Sequence, residues 1–309
     1  MKRLQENMAD VVLGKQEALE LLLVALIAEG HILIEDVPGV GKTLLAKTLA
    51  VSINANFNRL QCTPDLTPTD VTGFYVLDRK NNDFIFKAGP VVTNILLADE
   101  INRAVPRTQS SLLEAMEERQ VTLDGETIKL PQPFFVIATQ NPIEHDGTFP
   151  LPEAQLDRFL LKISMGYPSA AEEESILQKH GKENPILSMK AVATEQDVLN
   201  WQELARNIYV EPSVQSYIVE LVRATRTHAA VAFGASPRAS LGLLRAVRAL
   251  ALLKERQYVL PDDVQYLAPH VLNHRLSLKK EERLRGLQAS QVMSEILTKV
   301  PVPIENSGE

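Results

Sequence analysis

His31-Ile32-Leu33-Ile34-Glu35-Asp36-Val37-Pro38-Gly39-Val40-Gly41-Lys42-Thr43 is the stretch that decides how this chain is read. An apolar run stops at a Pro-Gly turn, and Gly-Lys-Thr then opens the helical sequence of residues 44–50. Strand, loop and helix in that order are the context of a Walker A phosphate loop. Gly39 and Gly41 let the backbone curl so that its N–H groups face inward, and the helix start adds its positive dipole end. The segment Pro38, Gly39, Val40, Gly41, Lys42, Thr43 and Leu44 is therefore expected to bind the phosphates of a nucleotide. Lys42 reaches the β- and γ-phosphates, and the Thr43 hydroxyl is one ligand of Mg²⁺. The general pattern wants glycine where Asp36 stands, and Asp tolerates unusual turn backbone better than most residues.

A second chemical signal lies downstream. Asn94-Ile95-Leu96-Leu97-Ala98-Asp99-Glu100 is an apolar strand ending in two carboxylates, the Walker B pattern. Asp99 is expected to hold Mg²⁺ and Glu100 to polarise the attacking water. Phe134-Phe135-Val136-Ile137-Ala138 is another buried strand, running into Thr139-Gln140-Asn141-Pro142. An amide at the C-terminal end of a central strand sits where open α/β sheets bind ligands, so Asn141 is placed to bond the γ-phosphate or the lytic water.

Composition sets bounds on the rest. The 309 residues allow two domains. A net charge of −7 and a pI near 5.5 give no global attraction to nucleic acid or anionic membrane. One cysteine, Cys62, excludes an internal disulfide and suits a reducing compartment. The longest apolar run, residues 21–28, is too short to span a bilayer, and the N-terminus carries no signal-peptide core. The expected location is cytoplasmic.

Between the motifs, residues 17–28 read as a helix buried on most sides, 56–61 as a strand, and 64–71 as a short helical turn. Residues 74–77 and 84–86 flank a polar tip and form one hairpin. Residues 121–123 and 127–130 around Asp124-Gly125 form a second. The aromatic first hairpin, with Arg79 and Lys80 at its tip, is open to two readings: contact with a substrate or DNA, or packing on its own domain. Residues 106–120 read as a helix and 160–163 as a last strand. Residues 181–185 read as a linker, and 194–207, 212–227, 239–256 and 262–272 as amphipathic helices of a small bundle. His270 and His274 have the spacing of a two-His metal face, but no third ligand accompanies them, which favours a packed surface. The tail from Pro301 to Glu309 reads as frayed.

Taken together, the phosphate-loop stretch, Ala98-Asp99-Glu100-Ile101-Asn102-Arg103-Ala104, Glu114-Ala115-Met116-Glu117-Glu118-Arg119-Gln120-Val121, Ala138-Thr139-Gln140-Asn141-Pro142 and Leu156-Asp157-Arg158-Phe159 resemble the MoxR family of AAA+ ATPases. That family carries Asp at the position of Asp36. The resemblance implies an α/β P-loop NTPase core, a parallel sheet in an αβα sandwich with two inserted hairpins, over residues 1–166. A linker and an all-helical lid follow over 167–309. It makes Asn141 sensor 1, Arg158 the arginine finger, and Arg238, in Gly234-Ala235-Ser236-Pro237-Arg238-Ala239-Ser240, sensor 2. Arg103 and Arg107 are competing finger candidates. ATP and Mg²⁺ are the implied cofactors. The implied activity is hydrolysis of ATP to ADP and phosphate by a chaperone-like ring, a hexamer, that remodels or matures client proteins, metal insertion included. Clients with a von Willebrand A domain are typical. A DNA-remodelling motor and a nucleotide-dependent scaffold with negligible hydrolysis are the alternatives. The acidic balance disfavours the first and the intact Glu100 disfavours the second.

Overall fold

The computed structural model describes residues 1–142, 147–180 and 185–303. The linker expected at 181–185 falls almost wholly outside these residues, as does the tail beyond 303. Two compact units emerge, interleaved in sequence. The first comprises Met1–Leu22, His31–Leu151 and Ile163–Leu199, and the second Leu23–Gly30, Pro152–Lys162 and Asn200–Glu309.

In the first unit, α1 (Lys2–Ala9) and the first half of α2 (Gln16–Ile27), whose second half belongs to the other unit, precede β1 (Ile32–Glu35), and α3 (Lys42–Ser52) leads to β2 (Phe57–Gln61). Next come α4 (Pro68–Thr72), the hairpin β3 (Gly73–Asp78) and β4 (Asp83–Ala88), then β5 (Ile95–Asp99) and α5 (Pro106–Glu118). A second hairpin, β6 (Gln120–Leu123) and β7 (Glu126–Lys129), precedes β8 (Phe135–Gln140). The chain then passes through α6 (Glu153–Leu156) and most of β9 (Leu161–Ile163), which belong to the second unit, before α7 (Ala170–His180) and the start of α8 (Glu195–Arg206) in the first. The sheet order is β2-β5-β8-β1-β9, and the pairs β2/β5, β5/β8 and β1/β8 are parallel.

The reason is legible in the strands themselves. Ile32, Leu33 and Ile34, Ile95 to Ala98, and Val136 to Ala138 are all fully buried. Strands apolar on both faces need cover on both sides, which parallel sheets obtain from crossover helices. Register then brings the polar ends level, with Glu35 opposite Gln140 and Gln61 opposite Asp99. Every chemical group found at a strand end therefore lies along one rim.

His31, just before β1, is a buried structural residue. Its Nδ1 accepts from the Val136 N–H at 3.0 Å, and its Nε2 faces the Met116 carbonyl at 3.0 Å. The ring is thus the neutral tautomer that donates from Nε2. Both expected hairpins form. The second turns through Asp124 and Gly125, both at positive φ, as a two-residue hairpin turn demands. The Tyr75 hydroxyl donates to Glu126, joining the two hairpins.

The second unit is mainly helical. It contains the rest of α8, then α9 (Pro212–Thr227), β10 (Val231–Phe233), α10 (Pro237–Leu253), α11 (Pro261–Leu272), β11 (Ser277–Leu278), α12 (Lys280–Leu284) and α13 (Ala289–Lys299). Helices α5, α9, α10 and α11 all begin with proline, whose missing N–H and fixed φ cost nothing in the first turn. No helix among the described residues is long and apolar enough to cross a membrane.

Replacing Leu97, fully buried in the middle of β5, by Ala should lower stability by about 3 kcal/mol through lost burial and the cavity left behind. Urea unfolding followed by circular dichroism reads this. A shift below about 0.5 kcal/mol, the usual range for a surface position, would mean that β5 is not central to the core.

Candidate active site

The phosphate loop begins where β1 stops. Gly39 and Gly41 sit at φ 88° and 94°, and a Cβ built on either would meet nothing within 4 Å. What demands glycine here is the left-handed backbone, and the space in front of the loop stays open. Helix α3 starts at Lys42, so its unpaired N–H groups and positive end face that space. Lys42 Nζ rests on the carbonyls of Asp36 at 2.8 Å and Val37 at 3.3 Å. Burial depresses its pKa, while the carboxylates of Asp36, Asp99 and Glu100 pull it back up.

Asp36, where the general pattern has glycine, is not a tolerated exception. It is absent from the positive-φ positions, so its backbone does not require glycine. Its buried carboxylate accepts hydrogen bonds from the backbone N–H groups of Met165 and Gly166 and from the Ser164 hydroxyl. On the other side of the same residues, Lys15 Nζ donates to the carbonyls of Met165 and Gly166 at 2.8 and 3.0 Å. The loop entry is therefore clasped to the chain leaving β9.

Opposite the loop, β5 delivers Asp99 and Glu100. Thr139, fully buried on β8, donates its hydroxyl proton to Asp99 Oδ1 at 2.6 Å and accepts from the Glu100 N–H at 2.8 Å. That second bond holds Glu100 at φ 56°, a left-handed conformation unusual for a side chain of this size. From β2, Arg59 reaches Asp99 Oδ2 at 2.6 Å and Gln61 donates to Glu100 Oε2 at 3.0 Å. Arg103 lies 3.4 Å from the same Glu100 oxygen.

One pocket of about 380 Å³ gathers Pro38, Gly39, Gly41, Lys42, Thr43, Asp99, Glu100 and Asn141, together with Arg59 and Gln61. Val40 and Leu44 belong to the same loop and helix without lining it. Arg158 and Arg238 both lie in the second unit. Arg59, Gln61 and Thr139 were not singled out from sequence. The signal for the first two was present, since Arg59 and Gln61 are polar residues two apart on a strand and so share a face. Cys62 is buried beside this rim, with its N–H on the Asp99 carbonyl at 2.9 Å. Burial, then the nearby Asp99 and Glu100 charges, push its thiol up to about 12, so it offers no nucleophile. His274 is buried on the Phe159 carbonyl and His270 packs on the Tyr266 ring, so the pair forms a packed surface.

The donor set suits a nucleotide with a hard divalent cation. Thr43 and Asp99 present hydroxyl and carboxylate oxygens in the same pocket as Lys42 and the open glycine loop.

Residues 31–161 match the family described as ATPases associated with various cellular activities, and residues 223–296 match the AAA lid domain. Chaperone MoxR1 of Mycobacterium tuberculosis is 45% identical over 96% of this chain and 81% of its own. YeaC of Bacillus subtilis, named as uncharacterized, is 51% identical over 98% and 94%. Protein MoxR of Methylorubrum extorquens is 30% identical over 97% and 94%. A crystal structure of a Cytophaga hutchinsonii protein named as a candidate ATPase superposes with a TM-score of 0.92 at 38% identity, covering 98% of this chain and 94% of that one.

Asp36→Gly restores the general phosphate-loop pattern and removes the clasp. Because hydrogen bonds to a charged group contribute about 1.5–3 kcal/mol each, the variant should bind fluorescent ADP about tenfold more weakly and melt earlier. Equal or tighter binding would show that Asp36 serves only as a turn residue.

Proposed function

Because this chain belongs to the MoxR family of AAA+ ATPases, we propose that it hydrolyses ATP to ADP and phosphate and spends the energy on remodelling client proteins. The observation that carries this reading is the convergence of Lys42, Thr43, Asp99, Glu100 and Asn141 on one pocket at the rim of the sheet. Lys42 and the loop N–H groups hold the β- and γ-phosphates. Glu100 accepts the proton of the attacking water, and Asn141 orients that water or the γ-phosphate. Thr43 and Asp99 would hold Mg²⁺, which when bound neutralises charge between the phosphates. Arg238 serves as sensor 2 on the same subunit's phosphates. Arg158 serves as the arginine finger, stabilising transition-state charge in a neighbouring subunit's pocket within a ring of about six copies. Arg103, already paired with Glu100, suits a role in its own pocket better than one in its neighbour's.

The hairpin of β3 and β4 supports work on a client protein. Phe74, Val76, Leu77, Phe84 and Ile85 are all exposed on it, an apolar surface beyond what a lone hairpin needs. Maturation of von Willebrand A domain proteins, metal insertion included, is the client chemistry we assign to it. Stimulation of turnover by DNA would favour the nucleic-acid motor instead.

Glu100→Gln keeps the shape of the pocket and removes the base, so it should retain nucleotide affinity and lose at least about a hundredfold in kcat. Lys42→Ala should lose nucleotide binding in a calorimetric titration, and chelation of divalent cations should stop wild-type turnover until Mg²⁺ is restored. Near-normal hydrolysis by Glu100→Gln would remove Glu100 as the water-activating residue.

A further inference from the structure

Arg275, in the short turn after α11, is a buried cation with 4% of its side chain exposed. Most of its hydrogen bonds are turned on one short segment of chain. Its Nε donates to Asp157 Oδ1 at 2.6 Å, and its terminal nitrogens donate to the carbonyls of Asp157 at 3.1 Å, Phe159 at 2.7 Å and Leu160 at 3.2 Å. A further bond to the Val271 carbonyl ties the guanidinium to the end of its own helix. His274, next to it, lies 3.0 Å from the same Phe159 carbonyl. Its Nε2 also lies 2.8 Å from a terminal nitrogen of Arg275, and burial, reinforced by the Arg275 charge, lowers the His274 pKa well below its ordinary value. Residue 158 is the one member of the run 157–160 whose backbone carbonyl Arg275 does not take up, and residue 158 is the arginine assigned above as the finger.

The same clamp reaches the other arginine. Ser236 stands at the N-cap of α10 with no side-chain bond to its own helix, and its hydroxyl instead lies 3.4 Å from Asp157 Oδ2. Arg238 is two residues further on, and its charge and that of Arg245 help depress the Arg275 pKa, after burial. Asp157 therefore joins the segment that carries Arg158 to the start of the helix that carries Arg238. All of these residues lie within the second unit.

We propose that Arg275 is a positioning residue that locks the 157–160 segment to the lid helices through Asp157, so that Arg158 and Arg238 are displaced together as one body. A lid shift sensed by Arg238 at its own subunit's nucleotide then resets Arg158 at the neighbour's, which couples adjacent sites around a ring. The inference rests on the reading of Arg158 as a finger that acts in trans.

Subunit mixing tests both and separates them. Arg275→Met should bind fluorescent ADP within threefold of wild type and lose most ATPase activity. Mixed in equal amounts with Glu100→Gln, it should regain activity, because about a quarter of interfaces then pair an intact Glu100 with an intact, well-held Arg158. Mixed with Arg158→Ala, it should regain none, since both variants lack the same contribution. Asp157→Asn keeps the bonds to the carbonyls and loses the ion pair, so it should show the same pattern with a smaller loss, and it replaces Arg275→Met if that variant does not fold. Recovery by Arg158→Ala with Glu100→Gln, but not by Arg275→Met with Glu100→Gln, would overturn the positioning role alone. Failure of the Arg158→Ala and Glu100→Gln mixture, in rings shown to contain both, would overturn the finger reading and this inference with it.

Discussion

The Thr139 hydroxyl is the point on which the candidate site depends. It links two adjacent strands, giving its proton to the Asp99 carboxylate and taking the Glu100 N–H in return. A buried hydroxyl has few ways to be satisfied, and this arrangement uses both its donor and an acceptor lone pair. The result is a fixed Asp99 carboxylate at the pocket and, one residue on, a backbone turned into the left-handed region so that Glu100 leaves the strand toward the pocket. Strand pairing sets the distance, since β5 and β8 are adjacent and in register to Ala98 and Ala138. The chemistry is therefore an extension of the sheet's own hydrogen-bonding geometry.

Charges placed away from solvent serve a related purpose elsewhere. Asp36 and Arg275 are both buried and both hold backbone groups of a distant segment. A buried charge is costly unless its hydrogen bonds are fully met. Each such residue therefore specifies one arrangement of the chain it holds: Asp36 the exit from β9 against the phosphate loop, and Arg275 the segment around Arg158. Lys15 adds to the first clasp by holding the carbonyls of the residues whose N–H groups Asp36 takes.

Much of this was legible in the sequence because the signals were local. The apolar runs of β1, β5 and β8 announced buried parallel strands, Asp124-Gly125 announced its hairpin, and Lys42, Thr43, Asp99, Glu100 and Asn141 announced a pocket that the fold then assembled. The sequence places helix starts at Pro106 and Pro212, where they stand, and those of α10 and α11 at residues 239 and 262, two and one positions inside their N1 prolines. Helices α1 and α13 are absent from the sequence reading, although Leu4 and Met8, and Val292, Met293 and Ile296, are spaced to share one buried face. The contributions of Asp36, Thr139 and Arg275 were not legible, because each depends on a partner far along the chain. Asp36 acts on residues 128 to 130 positions away and Arg275 on residues up to 118 away, separations that no local pattern encodes.

The central claim is that this site hydrolyses ATP with a Glu100 aimed by the Thr139 hydroxyl, and Thr139→Val tests it with the shape of the side chain preserved. Steady-state turnover and nucleotide affinity measured on the same preparation should diverge: affinity within about threefold of wild type, and kcat lower by about a hundredfold, the scale of a misplaced acid–base group. Turnover equal to wild type in a folded Thr139→Val protein would contradict the account, because Glu100 would then be positioned by something other than the strand beside it.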